Sequence, residues 1–347
     1  MKRLTCRWTM SPSVLIILFL TFSFLKINGA SEEDQEYLQP TVTIAILIRN
    51  KAHVLPWFFG HLENLNYPKN RISLWIRSDH NIDESNRILR EWLVAVENQY
   101  HDIDVKIDTS TSEFSDASGP CDWSAERFDH VIDLRQDALE AARKNWADYL
   151  FMLDADVILE NNYTLSLLVQ SDKTIVAPML NASIGQVYSN FWGGMTAEGY
   201  YKRVPEYFDI VERKTIGCFP VPMVHSALLI DMHRTVSPTL SYLPAEDYKG
   251  PEDDIIIFAH SVRNAGLSMH VLNTEYFGTV MIPMDSNNNL QEDSDHFTYI
   301  KLEAKGWGFQ LVLWLLFLKK LDIMKTEKIL KIEFNPVQTN AQAIIYL

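Results

Sequence analysis

Cysteine and basic charge are both scarce in this sequence, which has three cysteines in 347 residues and 31 Lys+Arg against 45 Asp+Glu. So few cysteines exclude the disulfide framework that stabilises small secreted domains. A formal net charge of −14 excludes the basic face of a nucleic-acid-binding protein, and we expect no nucleic-acid partner. Internal repeats and low-complexity tracts are also lacking. The 47% of hydrophobic residues suffices for one large core or two modest ones.

A long hydrophobic run is missing as well. The apolar stretch Val14–Leu25 is shorter than the roughly 20 residues that cross a bilayer, so no stable membrane span is expected. It follows basic residues, among them Lys2 and Arg3, and precedes small residues and a polar segment. This order predicts a cleavable signal peptide at residues 1–30, with an uncleaved signal anchor as the alternative.

Two further patterns, glycosylation sequences and a pair of cysteines, become informative for a protein that enters the secretory pathway. Asn162 and Asn181 each begin an Asn-X-Ser/Thr sequence, which predicts N-glycosylation sites. Cys121 and Cys218 remain after removal of the signal peptide. They either pair in an oxidising lumen or stay as free thiols, and the sequence favours neither.

Strand and helix patterns alternate from residue 41 to residue 153. Apolar, β-branched strands alternating with amphipathic helices predict a mainly parallel sheet flanked by helices. The predicted strands are Thr41–Ile48, Ile72–Ile76, a short one through Val105 and Ile107, and Tyr149–Leu153. Helices are predicted at 51–62, with the first turn starting at Pro56, and at Ser85–Val96. A third opens at a capping box formed by Asp133 and Gln136 and runs to about Ala147.

The second half of the sequence is more mixed. Strands are predicted at Thr174–Met179 and Val224–Ile230, and a helix at Ile255–Val262. Loops rich in tyrosine and tryptophan separate them. We interpret the whole as one α/β domain that ends near Ala304.

Two carboxylates, Asp154 and Asp156, come directly after the strand Tyr149–Leu153. Ligands of open α/β sheets bind beyond the carboxyl ends of the strands, so both acids can reach one hard cation there. Mg²⁺ and Mn²⁺ accept oxygen ligands and are held by one or two carboxylates together with substrate phosphates. This pattern predicts a metal site, with a solvated turn as the alternative.

Six segments in order resemble the amino-terminal half of glycosyltransferase family 25, which includes the procollagen galactosyltransferases and the cerebral endothelial cell adhesion molecule. The resemblance runs from about Pro40 to Ala304 and implies a GT-A-like fold. It also implies a UDP-sugar donor, Mn²⁺ (or Mg²⁺), and transfer of galactose to hydroxylysine of collagen-like proteins in the endoplasmic reticulum lumen. The segments are residues 78–81, 146–149, 154–156, 176–180, 188–192 and 221–226.

The resemblance assigns roles to individual residues. Asp154 and Asp156 match the D-x-D motif of the family. Asp79 matches the polar residue after the second strand that contacts the nucleotide in GT-A-like domains, although a turn or a helix cap explains it equally well. Asp253 and Asp254 open the helix near Ile255, where the helix dipole favours acids. One of them is the candidate general base that deprotonates the acceptor hydroxyl.

Further histidines and aromatic residues accompany these acids. His225 and His296, in the second half of the sequence, are possible further ligands, though a lone histidine near aromatic residues is more often structural. Trp192, Tyr200 and Tyr201 can stack on a sugar ring, but their spacing favours core packing.

The sequence departs from the family in two respects. The relatives are longer and carry a second transferase-like domain, and they end in a K-D-E-L-type tetrapeptide, whereas this sequence ends differently. Residues 305–347 do not resemble the family, and we interpret them as a divergent tail, with the second transferase domain absent.

The sequence therefore predicts a metal-dependent hexosyltransferase. A catalytically inactive family member that acts as a binding or adhesion protein is the alternative. A glycosidase with two catalytic acids needs a carboxylate pair separated by roughly 5–9.5 Å, for which the sequence offers no support.

Overall fold

The computed structural model describes residues 39–110, 112–182, 187–285 and 287–304. Contacts within the chain separate a unit that ends at Phe297 from a second unit that begins at Thr298, and the second is described only as far as Ala304. The predicted signal peptide (1–30) and divergent tail (305–347) lie outside the described residues. Within those residues, no helix combines the length and apolar character needed to cross a membrane.

The strands form where the sequence is β-branched and continuously apolar. The strand Val42–Ile48 has the sequence VTIAILI, and nearly all of its residues are buried, as expected for a strand covered on both faces. In chain order the strands are β1 (Val42–Ile48), β2 (Ile72–Ser78), β3 (Asp102–Ile107), β4 (Tyr149–Leu153), β5 (Val157–Leu159), β6 (Ile175–Pro178), β7 (Phe191–Trp192), β8 (Cys218–Val221), β9 (Met223–Val224), β10 (Ala227–Asp231), β11 (Met269–Leu272) and β12 (Gly278–Val280).

Helices connect most of these strands. In chain order they are α1 (Leu55–Glu63), α2 (Ser85–Val96), α3 (Ala125–Lys144), α4 (Thr164–Gln170), α5 (Glu206–Val211), α6 (Asp254–Asn264) and α7 (Leu290–Ala304). The predicted bounds of α2 agree with the structure. Its buried Leu89, Trp92 and Val96 lie on one helix face, as expected for an amphipathic helix.

Eight strands form one sheet in the order β3-β2-β1-β4-β10-β6-β11-β8. The first four of these run parallel to one another. Strand β10 is antiparallel to both β4 and β6, and β8 is antiparallel to β11. Strands β5 and β12 form one small sheet, and β7 and β9 form another. This architecture confirms the prediction of a mainly parallel sheet with a mixed second half.

The order of the strands creates a switch point between β1 and β4. Right-handed crossovers place α1 and α2 on one face of the sheet, because β1, β2 and β3 follow one another in one direction. The chain then returns from β3 to β4 on the other side of β1, so the same rule places α3 on the opposite face. A crevice opens at the carboxyl ends of two such neighbouring strands.

The predicted start of α3 is wrong. Asp133 and Gln136 lie inside the helix, which begins at Ala125 with Ser124 as its N-cap. The hydroxyl of Ser124 accepts a hydrogen bond from Arg127 N at 3.4 Å. Gln136 resembles a capping residue in sequence, but its Oε1 accepts a hydrogen bond from Tyr242 N at 2.8 Å.

The predicted strand Val224–Ile230 is also wrong as one element, because it breaks at His225 and Ser226 into β9 and β10. Ser226 has a positive φ of 63°, which turns the chain. Its carbonyl accepts a hydrogen bond from Asp154 N at 2.8 Å. The turn between β9 and β10 is therefore hydrogen-bonded to Asp154, the residue that follows β4.

Candidate active site

The candidate site is a cleft at the switch point, where the loops after β1, β2 and β4 meet. Two adjoining cavities of about 470 Å³ and about 110 Å³ occupy it. Positive and negative side chains both face this space, so it suits an anionic ligand held together with a cation. The residues that line both cavities are Arg49, Lys51, Trp123, Arg127, Arg135, Asp154 and Asp156.

The loop after β1 is fixed by side chains from the loop after β2. Asn50 has a positive φ of 54°, a conformation that asparagine tolerates better than most residues. Its N–H donates to Asn81 Oδ1 at 2.7 Å, and its own Oδ1 accepts from Ile82 N at 2.8 Å. Lys51 N donates to Ser85 Oγ at 2.8 Å. These bonds hold Lys51 at the cleft.

Asp154 and Asp156 leave β4 in a tight turn, in which Val157 N donates to Asp154 O at 3.1 Å. Ala155 between them is buried, whereas the two carboxylate side chains are each 26% exposed and line the cleft. The structure thus brings the two acids of the predicted metal site together on one wall.

Asp154 is held by a buried arginine from α3. Arg135 Nη2 lies 3.0 Å from Asp154 Oδ1, and Arg135 Nε pairs with the buried Asp254. Burial raises the pKa of Asp154 above its ordinary value, although the Arg135 guanidinium acts in the opposite direction. Arg135 therefore links the loop after β4 to the start of α6.

Asp156 is held in the same way by a lysine. Lys51 Nζ lies 3.0 Å from Asp156 Oδ2 and 3.0 Å from Asp293 Oδ2. His53 Nε2 lies 3.2 Å from the same oxygen of Asp293. Burial acts to raise the pKa of Asp293, but the neighbouring His53 and Lys51 lower it to about 2.

The two acids fit a hard divalent cation. Each ion pair uses one oxygen, which leaves Asp154 Oδ2 and Asp156 Oδ1 without a hydrogen bond from any described residue. Carboxylate oxygens are the ligands that Mg²⁺ and Mn²⁺ prefer. The exposure of both side chains to the cleft leaves room for substrate oxygens and water in the remaining coordination positions.

Asp79 lies at the end of β2 between two histidines. His80 Nδ1 lies 2.9 Å from Asp79 Oδ1, and His130 Nε2 lies 3.0 Å from Asp79 Oδ2. Burial acts to raise the pKa of Asp79, but the hydrogen bonds from His130 and His80 outweigh it and lower the pKa. The ring of His80 stacks on Phe114 with centroids 3.9 Å apart. These three polar side chains are close enough to one another to bind one cation. The two histidines also keep Asp79 ionised, so that its carboxylate can accept hydrogen bonds.

Asp253 and Asp254 occupy different environments. Asp253 is the N-cap of α6, and its Oδ1 accepts hydrogen bonds from Ile255 N and Ile256 N. Burial, followed by the nearby Asp254, raises the pKa of Asp253 to about 6. Asp254 is buried and paired with Arg135. Both acids line the cleft, and Asp253 is the better placed of the two to take a proton, because Asp254 is engaged by Arg135.

Of the three aromatic residues singled out in the sequence, only Trp192 packs against the core, where it is partly buried. Trp192 lines the cleft and meets Tyr201 edge to face, with centroids 5.4 Å apart. Tyr201 and Tyr200 are both exposed, so the prediction that they pack in the core is wrong. His225 lines the cleft too, and burial lowers its pKa to about 4, so it is neutral at pH 7. The side chain of His296 does not line either cavity.

Of the cysteines and asparagines predicted to matter in the secretory pathway, Cys121 lines the larger cavity, and the other three residues line neither cavity. Cys121 and Cys218 are both free thiols. Asn162 is exposed, as an N-glycosylation acceptor must be. Asn181 is half-buried, and its backbone forms a bridge with Thr279.

Sequence reasoning missed the basic residues of the cleft. Lys51 follows β1 at the carboxyl edge of the sheet, a position that points to the crevice. Arg135 shares its helix face with the buried Ile132 and Leu139, so a charge at a core position was a detectable signal. Its partner Asp254 is 119 positions away, and no local pattern connects them.

The fold and the cleft define an α/β protein with a dicarboxylate site at the switch point of its sheet. Glycosyltransferase family 25, N-terminal domain, matches residues 39–301. The chain belongs to this family. The crystal structure of GalNAc-T7 with UDP, GalNAc and Mn²⁺ is similar with a TM-score of 0.44 and 14% identity, over 72% of this chain and 45% of that one.

Two curated relatives are similar to most of this chain. The chain is 47% identical over 279 residues to procollagen galactosyltransferase 1-B of Xenopus laevis, covering 80% of this chain and 45% of the relative. It is 47% identical over 266 residues to procollagen galactosyltransferase 2 of Homo sapiens, covering 76% of this chain and 42% of the relative. The chain thus spans about half the length of the curated relatives it matches.

Proposed function

We propose that this chain is a metal-dependent glycosyltransferase that moves galactose from UDP-galactose to hydroxylysine of collagen-like proteins. The observation that carries the proposal is the pair Asp154 and Asp156 on the wall of the switch-point cleft, each with one carboxylate oxygen unbonded among the described residues. Family membership supports the reaction class, and the names of the relatives support the donor sugar and the collagen acceptor.

Asp154 and Asp156 would hold Mn²⁺ or Mg²⁺, which when bound neutralises the charge that develops on a diphosphate leaving group. Arg135 and Lys51 keep the two acids oriented toward the cleft. Asp79, which His80 and His130 hold in the ionised form, supplies a hydrogen-bond acceptor for the nucleotide.

Asp253 is the proposed general base. A pKa of about 6 leaves this acid ionised at pH 7 and makes it a stronger base than an ordinary aspartate. It takes the proton of the acceptor hydroxyl as the oxygen bonds to the anomeric carbon. The bond from that carbon to the phosphate oxygen breaks, and its electron pair leaves with the diphosphate. Asp254 positions the site through its pair with Arg135.

We also propose that the protein acts in the endoplasmic reticulum lumen. Support comes from the signal-peptide pattern in residues 1–30 and from the exposed Asn162, whose sequence suits glycosylation there.

The test is a transfer assay with the purified chain, a panel of UDP-sugars and a hydroxylysine-bearing collagen peptide, with Mn²⁺ or with chelator. We expect galactosyl-peptide only with UDP-galactose and only in the presence of metal. Donor binding without transfer or hydrolysis would identify an inactive family member that acts by binding. Product formation in chelator would reject the metal dependence.

A further inference from the structure

Two arginines in the cleft have no carboxylate partner among the described residues. Arg49 follows β1, and Arg127 is in the first turn of α3. Arg49 Nη1 donates to Pro120 O at 3.1 Å, and Arg127 Nη1 donates to Asp122 O at 2.7 Å. Lys51 and Arg135, the other two cations that line both cavities, are each held by two carboxylates.

Several donors of these two guanidinium groups are buried and unused. Arg49 Nε, Arg49 Nη2 and Arg127 Nε have no hydrogen-bond partner among the described residues. A buried donor without a partner costs free energy, so each one in a native protein requires an explanation. Both arginines line both cavities of the cleft, so a ligand bound there lies beside these two guanidinium groups.

The position of Arg127 is electrostatically unfavourable in three ways. Burial, followed by the nearby charge of Arg49, lowers the pKa of Arg127 to about 9. The third disadvantage is that the first turn of a 20-residue helix carries the positive end of the helix dipole, which disfavours a cation. One bound anion relieves all three effects, because it pairs with both guanidinium groups and interacts favourably with the helix N-terminus.

Aromatic rings fix the orientation of both groups. Arg127 Cζ lies 3.8 Å from the centroid of Trp123, and Arg49 Cζ lies 5.1 Å from the centroid of Phe114. A guanidinium whose face covers a ring has its N–H donors directed from its edge. Two fixed guanidinium edges beside Asp154 and Asp156 suit a ligand with several phosphate oxygens.

We propose that Arg49 and Arg127 form an anion clamp that binds the diphosphate of the nucleotide donor directly, without the metal ion. The assignment rests on the proposed function, since a nucleoside diphosphate is the donor of that reaction. The clamp gives the acidic protein a metal-independent affinity for its anionic donor, and the metal at Asp154 and Asp156 adds to it.

Titration calorimetry in chelator, with UDP, uridine and inorganic pyrophosphate as probes, tests the clamp. We expect the intact chain to bind UDP at least about tenfold more tightly than uridine, since each charge-assisted bond is strong. Arg127→Met and Arg49→Met are expected to abolish that preference and leave uridine affinity unchanged. Competition of pyrophosphate with UDP identifies the diphosphate as the bound group.

Arg143→Met is the matched control. Arg143 lies in the last turn of the same helix, also has a buried unpartnered Nε, and bonds the carbonyls of Ser237 and Leu240 outside the cleft. We expect this variant to keep the preference for UDP and to melt at a lower temperature. Arg127→Met is expected to melt at the same or a higher temperature, because it removes an unfavourably placed charge.

The outcomes distinguish failure of the clamp alone from failure of both proposals. UDP binding by the intact chain with an undiminished preference in both clamp variants overturns the clamp and leaves the transferase proposal standing. No binding of UDP with or without Mn²⁺ overturns both proposals. A lower melting temperature of Arg127→Met together with a retained UDP preference would assign Arg127 a structural role and reject the clamp.

Discussion

Arg135 and Asp154 form an ion pair at the cleft, with Nη2 of the arginine 3.0 Å from Oδ1 of the aspartate. The same guanidinium pairs with Asp254 at the start of α6. One buried cation thus connects an acid of the proposed metal site to the helix that carries the proposed base. The arrangement makes the geometry of the site dependent on a residue that does not itself need to touch the substrate.

Replacement of this connecting cation is expected to be costly. Arg135→Met leaves the buried Asp254 without its partner, and breaking a buried pair in this way costs about 3–5 kcal/mol. Urea unfolding measures the loss. The double variant Arg135→Met/Asp254→Leu is expected to recover most of it, because the buried charge of Asp254 is removed together with that of its partner. As a control, Arg87→Met removes two exposed ion pairs, with Glu84 and Glu91, and is expected to leave the unfolding midpoint unchanged. Equal losses in the single and double variants would contradict the account.

The pKa of Asp293 predicts how the stability of the fold depends on pH. Its pKa is about 2 in the folded protein, below the value of about 3.9 in an unfolded chain, so its pairs with His53 and Lys51 stabilise the fold above pH 4. That contribution falls as pH decreases from about 4 to about 2 and the carboxylate becomes protonated.

The measurement is the difference in free energy of unfolding between the intact chain and Asp293→Asn at several pH values. We expect a clear difference at pH 7 that shrinks below pH 4. A difference that stays constant down to the lowest pH at which the protein folds would show that the ionised form is not stabilised.

Asp253 and Asp254 are expected to respond differently to the same substitution. Asparagine also caps helices, so Asp253→Asn keeps α6 and donor binding but loses the base. A fall in kcat of about 10²–10⁴ is expected from the loss of proton transfer. Asp254→Asn instead leaves Arg135 with only Asp154 and is expected to lower stability. Transfer kinetics and thermal unfolding of both variants separate the two roles, and an unchanged kcat in Asp253→Asn would exclude it as the base.

The pKa of Asp253 also predicts the acid limb of the rate profile. Because the base must be ionised and its pKa is about 6, kcat/KM is expected to fall as pH drops below about 6. An acid limb near pH 4 would indicate an ordinary exposed carboxylate as the base.

The sequence predicted the parallel half of the fold because local patterns determine it. The strand VTIAILI is apolar on both faces, and Ser85–Val96 has one apolar face, so each needs only its own residues to be identified. The same local logic located Asp154 and Asp156 at the carboxyl edge of the sheet.

The rest of the site depends on contacts between distant parts of the chain. Asp156 pairs with Lys51, and Lys51 also pairs with Asp293. Lys51 and Asp293 are 242 positions apart in the sequence. The start of α3 at Ser124 was missed because the cap lies in a polar loop and the Asp133–Gln136 pattern resembles a helix start. Burial and charge pairing of this kind follow from the tertiary fold.

The most direct test of the account is the Mn²⁺ dependence of UDP binding by Asp156→Ala, measured by titration calorimetry. The fold is expected to survive, because Lys51 keeps its pair with Asp293. The intact chain is expected to bind UDP more tightly with Mn²⁺ than in chelator, and the control Asp209→Ala, an exposed change on α5, is expected to do the same. The account predicts that Asp156→Ala loses the Mn²⁺-dependent gain. A variant that keeps the full gain would contradict a metal site at Asp154 and Asp156.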